Sequence, residues 1–246
     1  MNAYLTVSLA ALLAAGLTMY SGFGLGTLLL PVFALFFPAE VAVVATALVH
    51  GANNVFKASL LGRHADRAVV LRFGLPAIAA AVVGAMALAW FAQSGSSINI
   101  EVNQAVFEIT PVKLIIGLLM IGFAVIDLHP RFRNIAFERR YLPLGGVFSG
   151  FFGGLSGHQG ALRSAFLAKA GLSTQGFVGT NAVIGLLVDL TRIFVYATLF
   201  VTAGGKLADF HAWPLVITGT LSAFCGVLIG KRFLHKVTMS SVQTLV

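Results

Sequence analysis

Five runs of roughly 20 mostly apolar residues dominate this chain: Val41–Leu61, Leu71–Trp90, Val112–Leu128, Gly176–Val201 and Ala212–Ile229. A helix that crosses a hydrocarbon layer of about 30 Å needs about 20 such residues. Lipid offers the backbone no hydrogen-bond partner, so each run must satisfy its own amides as a helix. The chain is 58% hydrophobic and 10% charged, against roughly a quarter charged in a soluble domain. Soluble hydrolase and nucleotide-binding classes are set aside on that ground. The expectation is an all-α polytopic membrane protein.

Two further apolar regions do not fit single spans. Tyr4–Tyr20 is followed by "SGFGLG" and then "TLLLPVFALFF"; Tyr141–Leu155 is followed by "SGHQG" and then "ALRSAFLAKA". Each second piece, at about ten residues, makes roughly 15 Å of helix, half a bilayer. Short, glycine-interrupted apolar segments in matching places point to broken helices around a midplane site. A shift of about 135 residues lays one region on the other: Ser21–Gly22 falls on Ser156–Gly157, Val43 on Val178, Ala47 on Ala182, Asn54 on Asp189 and Lys57 on Arg192. The order of parts is also repeated: broken hairpin, then helix, helix, helix.

Loop charge sets the topology. The formal net charge is +8, and its carriers cluster at Arg63, Arg67 and Arg72, at Arg131, Arg133, Arg139 and Arg140, and at Lys231, Arg232 and Lys236. The Ser94–Thr110 stretch, a polar loop with or without a short surface helix, and the Thr202–Phe210 loop have no basic excess. All three clusters share the cytoplasmic side only if each broken region dips in and returns. The reading is therefore two inverted repeats, each a re-entrant broken-helix hairpin followed by three transmembrane helices. The first repeat is 1–128, a basic cytoplasmic linker is 129–140, and the second repeat is 141–246. "HKVTMSSVQTLV" corresponds to the start of the fourth element, so the last helix is expected to be mostly missing from this chain. "MNAYLTVSLAALLAAG" lacks a basic leader and reads as a first membrane helix rather than a signal peptide. The lone Cys225 supports neither a disulfide framework nor a metal knuckle.

The chain resembles the TauE/SafE family of sulfite and organosulfur anion exporters along its whole length. The resemblance rests on "SGFGLGTLLLPVFALFFPAEVAVVATALV" and on "GVFSGFFGGLSGHQGALRSAFLAKAGLSTQGFVGTNAVIGLLVDLTRI". The first half follows the family pattern through Gly22, Gly24, Gly26, Pro31, Ala42 and Thr46. The second half departs from it, with "GHQG" and Arg163 where a glycine run and a later proline are usual. The resemblance implies a transporter of small, often sulfur-containing anions, with the departure leaving the particular anion open.

Polar residues inside the apolar segments are costly and mark functional sites. Arg163, in the second half-helix, can bind an oxyanion through its planar fork; alternatively it pairs with Asp189 or snorkels. His158 and Gln159 sit in the break and either line the substrate path or cap the half-helix. Ser156 and Ser21 add hydroxyls or caps. Asp189 and Arg192, three residues apart, share a helix face and pair, structurally or as a gating pair. Asn181 and Thr180 begin the same polar face. In the first half His50, Asn53, Asn54 and Lys57 follow i, i+3, i+4, i+7 and draw one stripe, with Lys57 also able to snorkel. Substrate contacts are thus expected at Arg163, His158, Gln159, Ser156, Gly22, Gly24, Asn181, Thr46, Asn53 and Asn54, with Asp189, Arg192, Lys57 and His50 as charge-pair or gating residues.

No enzyme constellation, cofactor motif or metal cluster is legible, and "GFGLGTLLLP" has no preceding strand and no third glycine. The function read from the sequence is a secondary transporter of a small anion across the bacterial inner membrane. An anion channel or permease for a carboxylate or other small solute, and a non-transporting membrane scaffold, are the alternatives. The expected partners are the anion and membrane lipid, without nucleic acid; homo-oligomerisation is left open.

Overall fold

The computed structural model describes residues 2–93, 97–102, 105–128, 136–202 and 210–238. Arg131 and Arg133 of the second basic cluster, most of the Thr202–Phe210 loop and the final "MSSVQTLV" lie outside the described residues. The helices are α1 (Ala3–Ser21), α2 (Leu25–Ala34), α3 (Ala39–Leu61), α4 (Arg67–Gln93), α5 (Pro111–Leu128), α6 (Leu142–Ser156), α7 (Gly160–Leu167), α8 (Thr174–Thr202) and α9 (Trp213–Phe233). Among them α1, α3, α4, α8 and α9 are long and apolar enough to cross a membrane, and α5 is a slightly shorter apolar helix.

The polar Ser94–Thr110 stretch is neither plain loop nor helix. It holds an antiparallel hairpin, β1 (Ile98–Val102) on β2 (Ala105–Ile109), with Ile98 opposite Ile109 and Glu101 opposite Val106. Isoleucine and valine alternate with Asn99 and Glu101, which is the period of a strand. The two glutamates mask that alternation in a reading by polarity.

Both breaks are real and both reverse the chain. α1 ends at Gly22 with φ 76° and α6 ends at Gly157 with φ 87°. These left-handed C-caps, at positions equivalent under the 135-residue shift, are conformations glycine adopts without strain. α7 runs back along α6. Phe137, just before α6, stacks on Phe166 of α7 at 4.1 Å, and its N–H donates to the Ala165 carbonyl at 3.3 Å. α2 likewise returns, since Val7 near the start of α1 and Phe33 near the end of α2 both lie against Gly219 of α9.

Two close seams hold the bundle. A Cβ on Gly146, Gly150 or Gly154 of α6 would stand 2.2, 2.1 or 2.1 Å from the carbonyls of Phe73, Ala77 and Ala81 on α4. On the other side α1 lies against α9, where a Cβ on Gly226 would be 2.2 Å from the Leu12 carbonyl. Small residues allow this backbone approach where lipid supplies no hydrophobic drive. α3 and α8 cross between the seams and carry most of the buried polar residues among those described.

Candidate functional site

The stripe on α3 and the polar face of α8 meet in one buried network. Asp189 is its centre. Its Oδ2 lies 2.6 Å from His50 Nδ1 and accepts from Asn54 Nδ2 at 2.7 Å. Its Oδ1 accepts from Gln159 Nε2 at 2.9 Å and from Arg192 Nε at 3.0 Å. Arg192 Nη2 is also 2.8 Å from Oδ1, an ion-pair contact out of hydrogen-bond alignment. A carboxylate has about four lone-pair sites, so this one is saturated.

Arg163 is therefore not paired with Asp189. It reaches Gln159 Oε1 through Nη1 at 2.7 Å and donates to Asn181 Oδ1 through Nε. Gln159 thus stands between the two charges, donating its side-chain N–H to Asp189 and accepting from Arg163 at its side-chain carbonyl. Asn181 passes the chain on to Ser164 Oγ at 3.1 Å. Gly185 makes room for the assembly: a Cβ there would stand 2.7 Å from Asn54 Nδ2 and 3.1 Å from Arg163 Nη1.

Lys57 does not snorkel. It is 5% exposed and donates to the Thr18 hydroxyl of α1. With Thr18, Gly22, Asn54, Val178, Asn181 and Ala182 it lines a gap of about 10 Å³, at the lower limit for a single water. The first break joins the second here. A Cβ on Gly26 would be 2.9 Å from the Gly157 carbonyl, and one on Gly160 would be 2.7 Å from Phe23 Cβ.

Other expected residues sit elsewhere. Ser156 Oγ and His158 Nδ1 are 2.9 Å apart, and the His158 ring stacks on Phe123 of α5 at 5.0 Å. His158 Nε2, Thr46 Oγ1 and Asn53 Oδ1 are buried without a hydrogen-bond partner among the described residues. Ser21 Oγ caps its own break through Phe23. Gly24 heads α2 and lies off the gap. Thr180 accepts from the Asp66 N–H at 2.9 Å, at the far end of α8 from Arg192. Sequence reasoning missed Thr18, Ser149, Ser164 and Tyr196. Ser149 donates to the Gln159 carbonyl at 2.9 Å, and Tyr196 donates to the Gly154 carbonyl. Only the 135-residue shift carries a signal for any of them, since Ser149 falls on Ala14 and Tyr196 on Leu61, places where the first half is apolar.

Apolar helices of spanning length around a buried, cation-rich network define a multi-pass integral membrane protein with a charged interior. The chain belongs to the TauE/SafE family: the family model described as "Sulfite exporter TauE/SafE" matches residues 7–246. It is accordingly a membrane transporter of anions of the sulfite and organosulfur kind. Searches of curated proteins and of solved structures returned no match.

Proposed function

We propose that the protein is a secondary transporter that moves a small sulfur-containing oxyanion or organosulfonate, of the sulfite or sulfoacetate type, across the bacterial inner membrane by alternating access. One observation carries this reading. Among the described residues the buried charged side chains are Lys57, Arg163, Arg192 and Asp189. Asp189 is saturated and takes Arg192, which leaves Lys57 and Arg163 with neutral partners only. Two buried cations without a counter-ion are costly, and a bound anion removes that cost. The gap beside Lys57 and Asn181 is the place for it, once widened beyond its present volume.

Two inverted repeats, 1–128 and 141–246 joined by the linker 129–140, organise the site. The support is that the equivalent caps Gly22 and Gly157 end equivalent helices, and that the seams α4 with α6 and α9 with α1 exchange under the shift. The hairpins are re-entrant, so the basic ends at Arg63, Arg139 and Lys231 share the cytoplasmic side.

Uptake of sulfite, sulfoacetate and sulfate into liposomes holding the purified protein tests this. Saturable uptake of one of them, lost on Arg163→Ala, is expected. Conductance that rises with voltage and never saturates makes the protein a channel, and undiminished binding by Arg163→Ala removes the assigned site.

A further inference from the structure

This inference rests on the repeat reading just given. Helices α3 and α8 cross at the polar network: a Cβ on Gly51 would stand 3.0 Å from Ile193 Cδ1 and 3.5 Å from Asp189 Cβ. Beyond the crossing, the two ends of the pair differ. Where α3 ends and α8 begins, the helices are in contact. A Cβ on Gly179 would stand 2.4 Å from the Leu61 carbonyl, Gly62 faces Val183 at 3.7 Å, and Thr180 holds the Asp66 N–H at 2.9 Å. At the opposite end the helices part. An apolar cavity of about 340 Å³ separates Val41, Val44 and Leu48 of α3 from Ile193, Tyr196 and Phe200 of α8.

The 135-residue shift lays the closed end on the open one. Gly179 falls on Val44, Val183 on Leu48, Leu61 on Tyr196 and Gly62 on Ala197. Every one of those equivalents lines the cavity. We infer that the two ends of the α3–α8 cross are a pair of alternating gates, with the basic end shut and the opposite end open in this structure. In the other state Val44 closes on Tyr196 and Leu48 on Ala197, while Leu61 and Gly179 part.

The two closures differ in kind. The shut gate is backbone on backbone, made possible by glycine. Val44 occupies the place of Gly179, so the second gate closes through apolar side chains and gains from burying them. The cavity floor touches the site. Ile193 follows Arg192 in the chain, and Tyr196 donates to the Gly154 carbonyl just ahead of the second break. Closure against Tyr196 therefore acts on the hairpin that carries Gln159 and Arg163. Packed helix pairs of this kind hold discrete arrangements rather than a continuum.

Spin-label distances in nanodiscs test the gates without any anion, so the result is independent of the transport reading. Arg63→Cys with Gln175→Cys reports the basic end. Its repeat equivalent, Thr198→Cys with Glu40→Cys, reports the other, each in a Cys225→Ser background. Gly179→Val, whose side chain cannot fit against Leu61, is expected to lengthen the 63–175 distance and shorten the 40–198 distance together. Val44→Gly removes nothing from the shut gate, copies its glycine into the open one and is expected to move both distances the same way. The inference is overturned if the 63–175 distance lengthens with 40–198 fixed. It is equally overturned if Gly179→Val does not fold and Val44→Gly moves neither distance.

Discussion

His50 Nδ1 and Asp189 Oδ2 lie 2.6 Å apart although 139 residues separate them in sequence. This contact joins the polar stripe of one half to the buried carboxylate of the other. Asp189→Asn keeps the shape but removes the charge that compensates Arg192. Breaking one side of a buried pair costs about 3–5 kcal/mol, so thermal unfolding in detergent is expected to shift down markedly. Adding Arg192→Gln is expected to recover part of the loss; unchanged stability of Asp189→Asn would mean the pair is not formed.

Among the described residues, Lys57 has only the Thr18 hydroxyl as hydrogen-bond partner. Lys57→Met removes a buried ammonium of similar length and is expected to hold or raise thermal stability. The same change is expected to weaken anion binding about 10- to 100-fold, the worth of a charge-assisted hydrogen bond at about 1.5–3 kcal/mol. Titration calorimetry alongside a melting curve separates the roles. Lower stability with unchanged affinity assigns Lys57 to the scaffold.

Gln159 spaces Asp189 from Arg163 with one amide. Gln159→Glu hands Arg163 a fixed carboxylate and places a second negative charge beside Asp189. Anion affinity is expected to fall at least tenfold, roughly 1.4 kcal/mol. Gln159→Met is expected to be the milder change in affinity, because it adds no competing charge. Equal losses in the two variants would show that shape, not charge, matters at this position.

The α4–α6 seam admits no side chain at Gly150, where a Cβ would stand 2.1 Å from the Ala77 carbonyl. Gly150→Val is expected to destabilise by more than the roughly 1–3 kcal/mol of ordinary overpacking and to abolish monodisperse purification. Gly117→Ala on α5, with nothing within 4 Å of its Cβ, is the control. It is expected to be neutral or slightly stabilising by helix propensity, and size-exclusion profiles of the two compare directly.

Much of the buried polar network was legible in the sequence. The i, i+3, i+4, i+7 run from His50 to Lys57 does form one buried stripe, and Asp189 and Arg192 do pair. The missed residues are single hydroxyls. In an apolar helix a serine or threonine has its own i−4 carbonyl as a ready partner, as Thr191 does with Leu187, so nothing local marks Thr18 or Ser164 as different. His158 could not be placed because its bond to Ser156, two residues away, turns it onto Phe123. That choice depends on α5, packed against it from elsewhere in the chain.

By itself the sequence determined the solvent, the helices and the breaks. These follow from local length and hydropathy, because lipid compels each apolar run to close its own backbone bonds and Gly22 and Gly157 supply the left-handed caps. It also determined which helix faces are polar. Only the tertiary structure decided which charges remain without a counter-ion. Asp189 is reached at once by α3, by the second break and by its own helix. Once its four acceptor sites are filled, Arg163 and Lys57 are left to neutral groups. No pattern along the chain records that competition, since two of the four sites are taken by His50 and Asn54, more than a hundred positions away in the chain.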